Sequence, residues 1–358
     1  MPVLPDADGA SGERPTRRWK RFALAASLVL AAATLLAACG GDDDNGDESA
    51  DSAASGEDLP TVKIHALEGG TSNVATEIIE LNGFDEANGC QAEFFAVSGD
   101  ASVQFFLQGE SDVSFDGDPV TAALLRSQGE DVTTFYPLVV QDVELMVRGD
   151  SDYQTPHDLE GEPVGHDGLE SGSMTAAQIM LPEFEDVTIT EDYDLKLVPE
   201  AALPRLLERG ELEASFMAQP LILQGELAEG FRSVWGPGWE EWEEARGGRT
   251  WNISLMARDA WIEENPEAAQ CVVDAWDDAY EWIQEDPSRL GEDPFPELLG
   301  LGSQEEIDAF IDLISETEYF TNRWTEEDQQ AAVDFIEFAA ENNLGIEEAP
   351  AGSVSQLP

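Results

Sequence analysis

From Thr61 onward, short apolar and β-branched runs alternate with longer stretches in which apolar residues recur every three to four positions. The runs at 62–67, 92–97, 113–115, 133–140, 144–148, 163–165, 195–198, 214–217 and 252–257 read as strands, and helical patterns fill most of the gaps. Strand and helix in alternation predict an α/β domain built on largely parallel sheet. From Arg258 the pattern is helical almost to the end, with Pro266, Pro287, Pro294 and Pro296 as breaks. Residues 349–358 read as a frayed tail.

Part of this pattern is repeated. Leu67-Glu68-Gly69-Gly70-Thr71 returns as Leu169-Glu170-Ser171-Gly172-Ser173, and each stands between a strand and a helix. Gly109-Glu110-Ser111-Asp112-Val113-Ser114-Phe115 returns as Gly210-Glu211-Leu212-Glu213-Ala214-Ser215-Phe216, with Pro119 and Pro220 following. Two echoes in the same order at nearly the same offset predict a pair of similar lobes.

Ahead of the domain, Arg17, Arg18, Lys20 and Arg21 precede an apolar run that starts at Phe22 and closes on Leu36-Ala37-Ala38-Cys39. A basic segment, an apolar core and small residues before a cut are the parts of a secretory signal. The cysteine at the cut makes the segment resemble a bacterial lipoprotein signal. That resemblance implies removal of residues 1–38, lipidation of Cys39, and an acidic, flexible tether at 39–60. The run is also marginal for spanning a bilayer, which takes about 20 apolar residues. Arg17-Arg18 leaves open whether export is general secretory or twin-arginine.

The whole chain carries 17 basic and 76 acidic residues, a net charge of −59. Nucleic acid is excluded as a partner, because it is bound by clustered Lys and Arg. The acids are spread through segments that also carry periodic Leu, Ile, Val, Phe and Trp, so the chain should fold. Self-repulsion on this scale is tolerable where salt shortens the Debye length, and we read an adaptation to a salty exterior, the alternative being that the acidity merely supports solubility. Cys90 and Cys271 remain after Cys39; on the outer side of a membrane an even pair reads as a disulfide or as two buried thiols.

The chemistry of the repeated turns points to binding. Gly69 and Gly70 let backbone N–H groups approach a ligand, and Thr71 or Ser72 is placed to cap the next helix. Ser171, Gly172 and Ser173 do the same in the second half. Asp118-Pro119 reads as an N-cap with proline at the first helical position, imitated by Gln219-Pro220. Helix N-termini hold small anions without Lys or Arg. Catalysis is poorly supplied: His65, His157 and His166 form no metal-binding or triad motif, and Asp116 with Asp118 reads more simply as turn and cap than as an acid/base pair. No metal or cofactor is expected.

The run from Asp112 to Pro119 with that from Ala122 to Gly129, then Asp158-Leu159-Glu160-Gly161-Glu162-Pro163-Val164-Gly165, then Ser171-Gly172-Ser173, and finally Glu263-Glu264-Asn265-Pro266-Glu267-Ala268 opening a helix, resembles the solute-binding proteins of ABC importers. The similar group serves sulfonates, taurine, nitrate and pyrimidine precursors. The resemblance implies a two-lobed, type II periplasmic-binding-protein-like fold with a two-strand hinge. It implies a first lobe at 61–146, a second at 147–247, a return at 248–285, and further C-terminal helices at 286–348. Both Cys90 and Cys271 then fall in the first lobe, which favours the disulfide. The implied partners are one small solute, a permease with its ATPase, and the membrane through the lipid; the protein is expected to be a monomer. An enzyme acting on a pyrimidine precursor and a sensory binding protein are the alternatives on the same fold. The expected pocket turns carry Glu68, Asp100, Asp116, Asp118 and Glu170 and no Lys or Arg. Trp235, Trp239, Trp242 and Trp251 are candidates to stack on a ring or a cation, or else core residues. This favours a neutral, zwitterionic or cationic nitrogen compound over a simple sulfonate or nitrate.

The leader generates a direct prediction. Cys39→Ala should release the protein from the membrane fraction or leave an unprocessed precursor, as read by fractionation and mass; a membrane-bound, correctly trimmed variant refutes lipidation at Cys39.

Overall fold

The computed structural model describes residues 59–357 except 68, 69, 170, 318, 321, 322, 343, 344 and 347, and at Ser72 and Asp100 it describes the backbone alone. The leader, Cys39, the tether up to residue 58, Glu68, Gly69 and Glu170 therefore lie outside the described residues.

Ten strands form two five-stranded sheets. The strands are β1 Thr61–Leu67, β2 Gln91–Val97, β3 Val113–Gly117, β4 Val132–Val140, β5 Glu144–Arg148, β6 Pro163–His166, β7 Asp194–Leu197, β8 Ala214–Met217, β9 Phe231–Trp235 and β10 Trp251–Arg258. The first sheet runs β2-β1-β3-β10-β4 and the second β7-β6-β8-β5-β9. In the first, β1 pairs parallel with β2 and β3, and β10 is antiparallel to β3 and β4. In the second, β6 pairs parallel with β7 and β8, and β5 is antiparallel to β8 and β9. Each sheet thus takes one antiparallel strand from the chain's passage between lobes.

The strand order explains the repeat. Corresponding strands start at residues 61 and 163, 91 and 194, 113 and 214, and 132 and 231. The partner of β4 is β9, which the apolar pattern did not reveal. Its residues Phe231 to Val234 are only half-buried at the sheet edge, so Phe231-Arg232-Ser233-Val234 lacks a full apolar run.

Two further expectations are corrected. Residues 144–146, expected in the first lobe, pair with β8 and β9 in the second sheet. The apolar run 135–140 of β4 and Leu145-Met146-Val147 of β5 are separated by Gln141-Asp142-Val143-Glu144, and that polar interruption is where the chain changes sheets. The tail is not frayed. Thr134 N donates to Ser353 O at 2.9 Å, Ser355 N donates to Thr134 O at 3.0 Å, and Leu357 is buried in the first core. Together with Phe320 opposite Val139, these residues cover the outer edge of β4, all nine of whose residues are buried.

The helix Pro266–Glu285 lays an apolar face, including Cys271, Val272, Trp276 and Tyr280, on the first core. Cys271 is disulfide-bonded to Cys90, with Cα atoms 6.0 Å apart at a sequence separation of 181. In the second lobe, Trp242 meets Phe335 and Phe338 of the helix Glu326–Glu341 at ring separations of 4.8 and 5.3 Å. The C-terminal segment therefore packs on both lobes.

Closing so long a loop restricts the unfolded chain, so Cys90→Ser with Cys271→Ser should lower stability by about 2–5 kcal/mol. Denaturant titration measures the loss, and two thiols reacting in the denatured, unreduced parent would show that the bridge does not form.

Candidate functional site

The helices that follow β1, β3, β6 and β8 span Ser72–Asn82, Pro119–Ser127, Gly172–Met180 and Leu221–Leu227. Ligands of open α/β sheets collect at such strand-to-helix turns. A cavity of about 650 Å³ joins turns of both lobes, lined by Gly70 and Gly99 from the first, Asp167, Glu200 and Pro220 from the second, and residues 297–300 of the C-terminal segment. A second cavity of about 500 Å³ shares Gly99 and lies between Val120 and Thr121 on one wall and Thr175 and Gln178 on the other.

The structure places the expected site residues unevenly. Gly70, at φ +70°, lines the larger cavity in a left-handed conformation that favours glycine. Thr71 occupies the N-cap position without capping: its φ −70° and ψ −18° are already helical, so its hydroxyl does not face the helix N–H groups. The hydroxyl lies instead 3.2 Å from that of Tyr319. Ser72 opens the helix and Asp100 is the second residue of the helix Gly99–Leu107. Asp118 does cap, accepting from Val120 N at 2.8 Å and Thr121 N at 3.1 Å, with Pro119 behind it. Its other oxygen accepts from the Thr121 hydroxyl. The imitation at Gln219-Pro220 is displaced by one residue, because Pro220 itself takes the N-cap position; Gln219 Oε1 accepts from Leu223 N at 3.3 Å.

The turn after β6 is pressed against the crossing. Ser171 accepts from Met174 N and donates to Asp167 at 3.1 Å. Ser173 donates to Asn252 Oδ1 at 3.3 Å, and Gln141 Nε2 donates to Gly172 O at 3.1 Å. A Cβ on Gly172 would stand 2.2 Å from the carbonyl oxygen of Asn252, so only glycine fits this approach. Asp142, Asn252 and Tyr319 escaped the sequence reading. The polar pair Gln141-Asp142 between two apolar strands was the one available signal; Tyr319 had none.

Acids dominate the electrostatics. Burial, reinforced by Asp167, Asp118 and Glu200, pushes the Asp116 carboxyl up to about 8 against a hydrogen bond from Ser102 that lowers it. Burial raises Glu200 to about 7 and also raises Asp118, Asp142 and Asp167. Among the described residues lining the larger cavity there is no Lys or Arg, while Asp167, Glu200 and Glu297 are present. No group of three or more His, Cys, Asp or Glu among the described residues is arranged to hold a metal ion. His65 is fully buried between Ser111 at 2.7 Å and Ser102 at 2.9 Å, and burial lowers its pKa to about 4. Ser102 is itself fully buried, so this pair presents no nucleophile to the cleft.

Three tryptophans belong to the interior. Trp242 packs as described above, Trp251 meets Trp324 at 4.7 Å, and Trp235 donates to Glu241 at 2.5 Å. Trp239 is half-buried against the first core.

No protein-family model and no curated protein matches the sequence. The structure is similar to a protein of Bordetella bronchiseptica RB50, with a TM-score of 0.70 and 20% identity over 83% of this chain and 94% of that one. It is also similar to a putative periplasmic sulfonate-binding protein, SsuA, of Methylobacillus flagellatus KT, at TM-score 0.60 and 16% identity over 84% and 92% of the two chains. The alkanesulfonate-binding SsuA of Xanthomonas axonopodis pv. citri, solved with MOPS bound, matches at 0.63 and 12% over 83% and 98%. The chain has the periplasmic-binding-protein fold. The two lobes expected from sequence correspond to the two sheets, and the larger cavity is lined by turns of both.

A buried acid with a raised pKa costs stability as it ionises: the unfolded chain releases the proton first, so stability falls as pH rises from about 4 towards about 8. Asp116→Asn removes that contribution. Its melting temperature should fall less than the parent's between pH 4.5 and 8.5, a difference of about 2 °C corresponding to about 1 kcal/mol in a domain of this size. Parallel melting curves for the two proteins refute the shift.

Proposed function

We propose that this protein is the extracytoplasmic solute-binding component of an ABC importer, held at the outer face of the membrane by lipid on Cys39. It captures one small molecule between its lobes and delivers it to a permease and its ATPase without chemical change. The fold and the comparison proteins support the general role. The lining of the larger cavity, which carries Asp167, Glu200 and Glu297 and no basic residue among those described, supports the choice of solute. A sulfonate or nitrate entering there meets carboxylates with no compensating cation, whereas a cationic or zwitterionic nitrogen compound replaces the missing countercharge. Gly70, Thr71, Asp116, Asp118, Ser171, Ser173 and Gln219 are the residues of the turns proposed to surround it, with Gly69, Ser72, Asp100 and Gly172 completing those turns.

A thermal-shift screen of the Cys39→Ala chain in molar salt, against alkanesulfonates, taurine, nitrate, pyrimidines and quaternary amines, tests this reading. A cationic or zwitterionic amine should raise the melting temperature, the stabilisation reaching about 2.7 kcal/mol at a hundredfold excess over Kd. Ser173→Trp should abolish the shift while the protein remains folded. Stabilisation by sulfonates alone would overturn the solute class, and turnover of any solute by the purified protein would overturn the transport role.

A further inference from the structure

Asp142 lies within residues 141–143, where the chain passes from β4 to β5, and is 3% exposed. Its Oδ2 accepts from the Tyr319 hydroxyl at 2.6 Å and from Gln219 N at 3.0 Å; its Oδ1 accepts from Asn252 Nδ2 at 3.1 Å. These donors come from three distant parts of the chain: the C-terminal segment, the turn after β8 in the second lobe, and the returning strand β10. Asn252 in turn receives Ser173 from the turn after β6. Because the single proton of Tyr319 goes to Asp142, its oxygen is left to accept from Thr71, in the turn after β1. The phenol is 2% exposed, edge-on to Phe320 at 5.2 Å, and its backbone carbonyl accepts from Val140 N at 3.3 Å, which fixes it to the edge of the first sheet.

We propose that Tyr319 is a positioning residue that holds the two lobes closed through Asp142. The hydroxyl reaches from the first-lobe side to a carboxylate that also carries the second-lobe backbone at Gln219. Without that donor, the buried carboxylate keeps only two amide donors and gains by being rehydrated. The motion that admits water is withdrawal of the first-sheet side, at Tyr319, from Asp142, whose near neighbour Glu144 is paired with Met217 in the second sheet, and that separation is opening of the lobes. Tyr319→Phe therefore shifts the equilibrium towards the open form by about tenfold, the low end of what one hydrogen bond to a charged group controls.

The inference rests on two lobes that open and close, but its test needs no solute, so a failed solute screen leaves it standing. In the full chain carrying Cys39→Ala, nitroxides are placed through Glu86→Cys in the first lobe and Glu208→Cys in the second, both exposed positions. Cys90 and Cys271 are bonded to each other and take no label. Pulsed dipolar spectroscopy then reads the distance between lobes, which a loss of global stability alone does not shift in the folded population. Tyr319→Phe should enrich the longer distances about tenfold. Asn252→Ala, which removes a second donor to Asp142, should move the distribution the same way and decides the matter if the first variant does not fold. Distributions that coincide with the parent's overturn the proposal, even where the melting temperature falls.

Discussion

A carboxylate buried where the chain changes sheets must be satisfied, because an ionised group left without donors in the interior costs several kcal/mol. At Asp142 no neighbouring residue supplies the donors seen in the structure; they come from Gln219, Asn252 and Tyr319. The need to bring these three segments to one point fixes how close the turn after β8 lies to β10. It also fixes why the C-terminal segment must reach back to the first lobe. Ser173 and Gly172, packed on Asn252, add the turn after β6 to the same junction.

Around that junction the two lobes are built alike, and each completes its sheet with a strand contributed by the passage to or from the other. β5 lies between β8 and β9, and β10 lies between β3 and β4. The passages are thus structural members of both cores. The acids of the cleft then share a confined space, where burial and mutual repulsion push the carboxyls of Asp116 and Glu200 up to about 8 and about 7.

Much of this architecture was legible in the sequence, and the reasons are local. Strands such as β1 and β8 carry their own apolar pattern, and the turns after them repeat residue types at matched spacing. The N-cap at Asp118 was readable because capping chemistry is confined to four consecutive residues. Thr71 misled because its role depends on a tyrosine 248 positions away. The tail misled for the same reason: Gly352 and Ser353 look unstructured until Thr133 and Thr134 supply their hydrogen-bond partners. The tryptophans near the return crossing were ambiguous because an aromatic side chain serves a core and a ligand equally well, and only the positions of Phe335, Phe338 and Trp324 decide which.

The cover that residues 353–355 give to β4 has a consequence for the order of folding. The second sheet is complete once the chain has reached Trp235, since all its strands lie between Glu144 and that residue. The first sheet starts at Thr61 but lacks β10 until residue 258, and its outer edge stays open until the final residues arrive. Contacts so far apart in sequence form late. The lobe that begins first along the chain is therefore the last to finish, and until then it exposes an apolar strand edge of the kind that promotes association between chains.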